Sequence, residues 1–285
     1  MPRITAPERR AFVAAAAGPS RGALTNNRFS ADIVAVARAR ETLAGRPDLA
    51  DLADLAADNA LPRWLAEVAG VTVGDLRRRW RLGIDIDGPL DLLLLGGPWA
   101  SHLETRDRTL AEGRLKAIRI VAADPRAELL VAGRTSATTL GWLERSTAAR
   151  TRVLVEERGL RTSVGGQRAP ASVLGLLLER DGPGSLGTHL ARLADAALID
   201  SRVLLAHRLG ADETAWPSAE DRFAADLLLA ERVVDPWLRE LTTAAIDSPI
   251  PVVLGGHTLV GPGLRLAVRP VRPRRTVRPR RRDRT

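Results

Sequence analysis

Two aspartates, Asp85 and Asp87, stand one residue apart, directly before Gly88 and Pro89. On an extended chain, alternate side chains point to the same side, so the two carboxylates could share a hard cation such as Mg²⁺. A bound Mg²⁺ would neutralise the charge that develops on a phosphate during phosphoryl or nucleotidyl transfer. Gly and Pro are also common turn residues, so the same segment fits a solvated turn. The spacing leaves both a metal site and a turn open.

A second candidate follows the apolar run at residues 129–132, where Gly133 leads into Arg134, Thr135 and Ser136. The pattern predicts a strand that passes through Gly133 into a helix starting near Ser136. Backbone N–H groups and hydroxyls at a helix N-terminus suit a phosphate or carboxylate, and Arg134 could add a bidentate donor. The alternative is that Thr135 or Ser136 only caps the helix.

A third candidate is His257, which follows the last predicted strand and the glycines Gly255 and Gly256. Imidazole titrates near neutral pH, so His257 could act as a general acid or base. His207 occupies a similar position after another predicted strand. A histidine at a strand end can equally be a plain hydrogen-bonding residue.

Positioning these residues requires a sheet, and short apolar runs bounded by Gly, Pro or charge predict six buried strands. The runs are residues 91–95, 118–122, 128–132, 152–155, 203–206 and 250–254. Helical spacing is found at 101–115, 138–149, 171–180, 187–198, 217–230 and 236–246. The alternation predicts an α/β fold with a mainly parallel, Rossmann-like sheet. Ligands of such sheets bind outside the carboxyl ends of the strands.

The N-terminal region has a different pattern, which predicts a mostly helical segment preceding the sheet. The predicted helices are residues 31–44, 49–57, 62–69 and 73–80. A boundary near 96–98 divides the chain into a region at 1–97 and a Rossmann-like domain at 98–268. Residues 159–170 are rich in Gly, Ser and Arg and predict a mobile loop. The Arg/Pro-rich segment 269–285 predicts a disordered tail.

The positive charge is concentrated in that last segment. The chain has a net charge of +9, and residues 269–285 hold nine arginines and one aspartate. The rest of the chain is therefore nearly neutral, and contact with nucleic acid or an acidic surface is predicted only through the tail. The absence of cysteine excludes disulfides, thiolate metal sites and a cysteine nucleophile.

No apolar run approaches the roughly 20 residues that a membrane-spanning helix needs. The start of the chain is also a poor match to a secretory signal peptide. The sequence therefore predicts a cytoplasmic protein without a membrane partner.

The segment Asp85-Ile-Asp-Gly-Pro-Leu-Asp-Leu resembles a signature of molybdopterin and phospholactate guanylyltransferases, Asp-Ile/Val-Asp-Thr-Pro-Glu-Asp-Leu. The segment from Asn26 to Asp32 is similar to an acceptor-side segment of some of these enzymes. The resemblance covers about residues 20–95 and implies that Asp85 or Asp87 faces metal or substrate. It also implies that Asn26, Asn27, Ser30 and Asp32 face the acceptor. The chain lacks the Gly-rich nucleotide-binding loop and the Asp-x-Pro metal motif of this family, so a relative without transferase activity also fits.

The tetrapeptide from Asp85 to Gly88 also resembles the first motif of the haloacid dehalogenase phosphatases. That resemblance implies that Asp85 is a nucleophile and Asp87 an acid or base. The chain departs from the motif because Arg77, Arg78 and Arg79 replace a hydrophobic strand before it and Pro89 replaces a threonine.

These observations predict a metal-dependent nucleotidyl- or phosphoryl-transfer protein that acts on a phosphorylated small molecule or nucleotide. In this hypothesis Asp85, Asp87 and His257 are catalytic and the two aspartates bind Mg²⁺. Five residues besides Asp32 form the predicted phosphate- or substrate-binding set: Asn27, Ser30, Arg134, Thr135 and Ser136. The alternative is a non-catalytic α/β module that binds a small ligand or a partner protein.

Overall fold

The structure is a computed structural model, and it describes residues 1–43, 61–157 and 170–268. The N-terminal elements are α1 (Ala6–Ala16), β1 (Gly22–Thr25), β2 (Val34–Ala37), α2 (Ala39–Leu43), α3 (Leu61–Glu67), β3 (Val73–Asp75) and α4 (Pro89–Leu95). They are followed by α5 (Thr105–Ala122), β4 (Glu128–Gly133), α6 (Ala137–Ser146), β5 (Arg150–Val155), α7 (Val173–Asp181), α8 (Leu186–Ala191) and β6 (Ala196–Asp200). The last elements are α9 (Ser201–Leu209), α10 (Ala219–Asp226), α11 (Pro236–Ile246), β7 (Val252–Gly255), α12 (His257–Val260) and α13 (Leu264–Ala267).

The larger sheet is parallel, with the strand order β5-β4-β6-β7. Leu130 lies opposite Arg152 of β5 and Ala197 of β6, so β4 is paired on both sides. The predicted α/β fold with a mainly parallel, Rossmann-like sheet is confirmed.

Helices cover both faces of this sheet, and alternate residues of each inner strand enter different cores. Leu129 and Val131 of β4 pack in one core with side chains of α4, α5, α12 and α13. Leu130 and Ala132 pack in the other core with side chains of α7, α8, α10 and α11. The buried side chains of α4 pack in the core of the larger sheet, although α4 precedes the proposed boundary at 96–98.

The N-terminal region contains a second, smaller sheet with the order β2-β1-β3. β1 pairs antiparallel with β2 and parallel with β3. Phe12 of α1 and Leu65 of α3 contribute to two small separate cores. Helix exceeds strand in the described part of this region, but the sheet was not predicted.

Two predicted helices of this region are wrong in detail. Residues 31–44 form β2 and then the short α2, and residues 73–80 begin with β3. The alternating burial of β2 indicates why, because Ala35 and Ala37 are buried while Val34 and Val36 are only half-buried. The helix predicted at 62–69 is confirmed as α3, and the one at 49–57 lies outside the described residues.

Three of the six predicted strands are wrong. Residues 91–95 belong to α4, residues 118–122 are the last turns of α5, and residues 203–206 belong to α9. The strand preceding α9 is β6, whose first residues were assigned to the predicted helix at 187–198. The strands predicted at 128–132, 152–155 and 250–254 are confirmed as β4, β5 and β7, with small differences at their ends.

The remaining helical predictions are confirmed with shifted ends as α5, α6, α7, α10 and α11. The predicted loop at 159–170 lies almost entirely outside the described residues, and the predicted tail at 269–285 lies wholly outside them. In the segments that the structure describes, no helix is both long enough and apolar enough to cross a bilayer.

Candidate functional site

The carboxyl ends of β4 and β6 mark the point at which the chain changes direction across the larger sheet. From β4 the chain passes through α6 to β5 on one side, and from β5 it crosses through α7 and α8 to β6 on the other. In doubly wound sheets such a switch point leaves a crevice outside the strand ends, and ligands bind there. Arg134 follows β4, and Asp200 is the last residue of β6.

An ion pair between these two residues spans the switch point. Arg134 Nε donates to Asp200 Oδ2 at 2.6 Å, and Arg134 Nη2 donates to Asp200 Oδ1 at 3.0 Å. Gly133 is needed beside it: its φ is +132°, and a Cβ there would lie 2.2 Å from the Cβ of Asp200. The bidentate face of Arg134, which we predicted to hold a phosphate, is therefore turned towards Asp200.

A cavity of about 260 Å³ lies beside this ion pair, and we call it the mixed-charge cavity. It is lined by Asp87, Gly88, Asp91, Arg134, Arg202, Glu213, Arg222, Phe223, Asp226 and Gly256. Arg202, near the start of α9, forms a bidentate ion pair with Asp226 at the end of α10. Burial opposes the charge of Arg202, but Asp226, Asp200 and Asp91 together raise the pKa of the guanidinium above the ordinary arginine value.

Asp91 is one of several titratable residues of this cavity that the sequence patterns did not identify. Its Oδ2 accepts hydrogen bonds from the backbone N–H groups of Asp87, at 2.9 Å, and Gly88, at 3.0 Å, and so holds the start of α4. The residue is only 6% exposed. Burial and the negative charges of Asp226 and Asp87 outweigh these hydrogen bonds and raise the pKa of Asp91 to about 7.

A second cavity, of about 320 Å³, lies between the N-terminal sheet and the larger sheet, and we call it the arginine cavity. It brings together four of the predicted site residues, Asn27, Thr135, Ser136 and His257. The other residues that line it are Asn26, Arg77, Arg78, Trp80, Leu82, Gly83, Thr138, Thr139, Gly261, Pro262 and Arg265. No carboxylate is among these lining residues, so the cavity carries an excess of positive charge.

The first turn of α6 forms one wall of the arginine cavity. Ser136 is the N-cap, because its Oγ accepts a hydrogen bond from the backbone N–H of Thr139 at 3.2 Å. The capping role considered for Ser136 is therefore confirmed. A helix of ten residues also places the positive end of its dipole here, so the cap and an anion site can coexist.

Arg265 carries the most unusual charge of the arginine cavity. Its guanidinium lies 5.3 Å from the ring centre of Trp80 and 5.1 Å from that of Trp142. Its Nε is enclosed without a hydrogen-bond partner, and no carboxylate pairs with Arg265 in the described part of the chain. Burial, together with the positive charges of Arg145 and Arg81, lowers the pKa of Arg265 from its usual value. No sequence pattern identifies Arg265 as a site residue, because its role depends on packing against two tryptophans that are distant in the chain.

The two predicted metal ligands lie near the mixed-charge cavity. Asp87 is exposed and lines that cavity, whereas Asp85 is half-buried and its Oδ1 accepts the backbone N–H of Ile86 at 2.9 Å. Asp32 accepts a hydrogen bond from Asn26 at 2.8 Å, and burial followed by the charges of Asp85 and Asp87 raises its pKa.

The three carboxylates of Asp32, Asp85 and Asp87 thus interact electrostatically. Nevertheless, the structure shows no group of three or more acidic or histidine side chains that could hold a metal ion, within the residues described. Two carboxylates remain suitable as partial ligands of Mg²⁺. The predicted Mg²⁺ site at Asp85 and Asp87 stays a prediction.

Three further predicted residues do not lie where they were expected. Ser30 and Asp32 lie in the segment between β1 and β2, outside the linings of both cavities. His207 does not follow a strand, because it lies within α9, where its Nδ1 accepts the backbone N–H of Ser172 at 3.3 Å.

The mixed-charge and arginine cavities adjoin each other along the carboxyl edge of the sheet. Arg134 lines the first and Thr135 the second, and Gly256 and His257 are divided in the same way. Because consecutive Cα atoms are only about 3.8 Å apart, the two cavities lie beside each other at these two points.

No protein-family model, curated protein or solved structure matches this chain. The guanylyltransferase resemblance therefore stays a prediction, and the function must be argued from the two cavities.

Proposed function

We propose that the protein binds a small phosphorylated molecule or a nucleotide, with its phosphate in the arginine cavity. The observation that carries the proposal is the composition of this cavity. Its lining contains three arginines, a histidine and the first turn of α6, and it contains no carboxylate. A ligand with negative charge would balance this excess, and phosphate matches both guanidinium groups and helix N-termini.

The arrangement of Arg265 supports this proposal. Since two indole rings hold its guanidinium and no acid pairs with it, its donors are oriented at little further cost in side-chain entropy. Arg77 differs, because its Nε lies 3.2 Å from Asp75. The side-chain amide of Asn27, whose Oδ1 accepts the backbone N–H of Phe29, adds a polar group to the lining, and Trp80 adds an apolar surface.

Transfer of a phosphoryl or nucleotidyl group is a further part of the proposal. Asp85 and Asp87 would supply oxygen ligands to Mg²⁺, and the metal would neutralise phosphate charge during transfer. His257 lines the arginine cavity, where its imidazole could exchange a proton with a bound ligand. The alternative, a non-catalytic binding module, uses the same cavity without a role for the two aspartates.

The binding proposal predicts a specific loss in the Arg265→Gln variant. Inorganic phosphate, pyrophosphate and ADP serve as probes, and binding is measured by calorimetry and by thermal unfolding. We expect the variant to bind the best of these probes at least 10-fold more weakly, because hydrogen bonds to charged groups contribute about 1.5–3 kcal/mol. A probe at 100 times its Kd should stabilise the wild type by about 2.7 kcal/mol.

The control is Arg106→Gln, which removes an arginine that is 74% exposed and does not line the arginine cavity. It should bind the probes as the wild type does. The proposal is wrong if none of the three probes binds to the wild type, or if Arg265→Gln binds them with unchanged affinity.

If the protein transfers a phosphoryl or nucleotidyl group, its affinity for ADP should depend on Mg²⁺ bound by Asp85 and Asp87. A non-catalytic binding module would show no such dependence. We expect Mg²⁺ to increase the affinity of the wild type for ADP, and we expect this increase to disappear in the Asp85→Asn/Asp87→Asn double variant. Calorimetry with and without Mg²⁺ in excess over ADP measures both. Equal Mg²⁺ dependence in the two proteins would favour the non-catalytic module.

A further inference from the structure

The charges of the mixed-charge cavity are largely paired within the protein. Arg134 pairs with Asp200, and Arg202 pairs with Asp226 through two hydrogen bonds. Arg222 lies 3.6 Å from Glu213. Carboxylates in the lining disfavour a phosphate, and the guanidinium groups, which already face carboxylates, have little charge left to attract one. The cavity is therefore suited to a neutral polar group.

Two groups in this lining retain hydrogen-bonding capacity. Asp91 Oδ2 accepts two backbone hydrogen bonds, but its Oδ1 accepts none from the described residues. Arg134 donates to Asp200 through its Nε and Nη2 and leaves Nη1 without a partner in the same part of the chain. Neither atom is among the fully enclosed unpaired ones. An acceptor on Asp91 and a donor on Arg134 thus remain available in the lining of one cavity.

Hydroxyl groups satisfy this combination, because each can donate one hydrogen bond and accept others. The ring of Phe223 adds an apolar surface, against which the C–H groups of a sugar ring can pack. The volume of about 260 Å³ is slightly below the range of about 300–1,000 Å³ that is usual for small-molecule sites, which suits a single ring.

We propose that the mixed-charge cavity binds the sugar part of a sugar phosphate or nucleotide, with a hydroxyl group donating a hydrogen bond to Asp91 Oδ1. The phosphate of the same molecule occupies the adjoining arginine cavity, so this inference rests on the proposed function. Asp91 is then a residue that determines specificity for the sugar, whereas Arg265 contributes affinity for the phosphate.

The test compares inorganic phosphate with ribose 5-phosphate and glucose 6-phosphate by calorimetry at pH 8, above the pKa of Asp91. In the wild type, the better sugar phosphate should bind at least 10-fold more tightly than inorganic phosphate. Asp91→Asn retains an oxygen that can accept the N–H groups of Asp87 and Gly88, but it presents an amide NH₂ to the cavity in place of an acceptor. This variant should lose most of the preference while its affinity for inorganic phosphate stays within about 2-fold, since a charge-assisted hydrogen bond is lost only to the sugar.

A second variant keeps the inference testable if Asp91→Asn perturbs the start of α4. Phe223→Leu removes the ring but keeps an apolar side chain, and it should also reduce the preference for the sugar phosphate. Equal affinities of the wild type for inorganic phosphate and both sugar phosphates would overturn the inference, as would an undiminished preference in both variants. In either case, phosphate binding that is lost in Arg265→Gln would leave the proposed function intact. If no phosphate compound binds, both proposals fail.

Discussion

Replacing Arg202 with methionine is expected to lower the free energy of unfolding by about 3–5 kcal/mol, because the substitution leaves the carboxylate of Asp226 buried and unpaired. Side-chain exposure is only 11% for Arg202 and 3% for Asp226, so water cannot replace the lost guanidinium. Arg202 Nη1 also donates to Ser201 Oγ at 2.9 Å, and this bond would be lost as well. Urea unfolding at pH 7 measures the effect.

The double variant Arg202→Met/Asp226→Leu shows how much of the destabilisation comes from losing the ion pair and how much from leaving an unpaired carboxylate buried. It should recover most of the lost stability, because a buried ion pair can often be replaced by apolar side chains at little cost. Arg126→Met is the control for loss of an exposed arginine, and its effect should stay within about 0.5 kcal/mol. A loss of less than about 1 kcal/mol in the Arg202→Met variant would contradict the assignment of Arg202 as the ion-pair partner that offsets the burial of Asp226.

The α/β class could be predicted because apolar runs and helical segments still alternate along the chain when individual elements are assigned wrongly. The strand at 128–132 was identified because charge, Pro125 and Gly133 bound a short apolar run. Residues 203–206 have a similar composition, yet they form part of α9. A short buried run is compatible with either structure, and the pairing of β6 with β4 and β7 decides between them.

The error at residues 91–95 could have been avoided from local signals. Pro89 stands at the first helical position and Asp91 at the third, and both are typical of a helix start. Four consecutive leucines, residues 92–95, suggested a buried strand instead. Because a strand was predicted at 91–95, Asp91 was not recognised as a site residue. The first residue of a strand is not expected to accept backbone N–H groups beside a cavity.

Site residues could be predicted where the order and direction of the strands alone determine where a residue lies. Thr135, Ser136 and His257 follow parallel strands, and the carboxyl ends of parallel strands meet at one edge of a sheet. Trp80 and Arg265 are far apart in the sequence and follow no strand of that sheet. They meet because the N-terminal region packs against the C-terminal helices, and no short-range pattern encodes that contact.

The Asp91→Asn variant is expected to be more stable than the wild type at pH 8, and the difference should shrink by about 2–3 kcal/mol as the pH falls to 5. Burial, followed by the charges of Asp226 and Asp87, raises the pKa of Asp91 from 3.8 in the unfolded chain to about 7 in the folded protein. Between pH 3.8 and about pH 7, Asp91 therefore carries a proton in the folded protein but has released it in the unfolded chain. Wild-type stability from this group is present below pH 4 and is lost as the pH rises through 7.

Asparagine removes this dependence, since it cannot ionise and its amide oxygen can still accept the N–H groups of Asp87 and Gly88. Carboxylates that do not interact with Asp91, such as Asp32, titrate alike in both proteins and cancel in the difference. Urea unfolding of both proteins at pH 5, 6, 7 and 8 gives the measurement, with Asp124→Asn on an exposed turn as the control. A difference between wild type and Asp91→Asn that stays constant across this range would show that Asp91 remains ionised throughout, because only a proton taken up by the folded state makes the difference depend on pH.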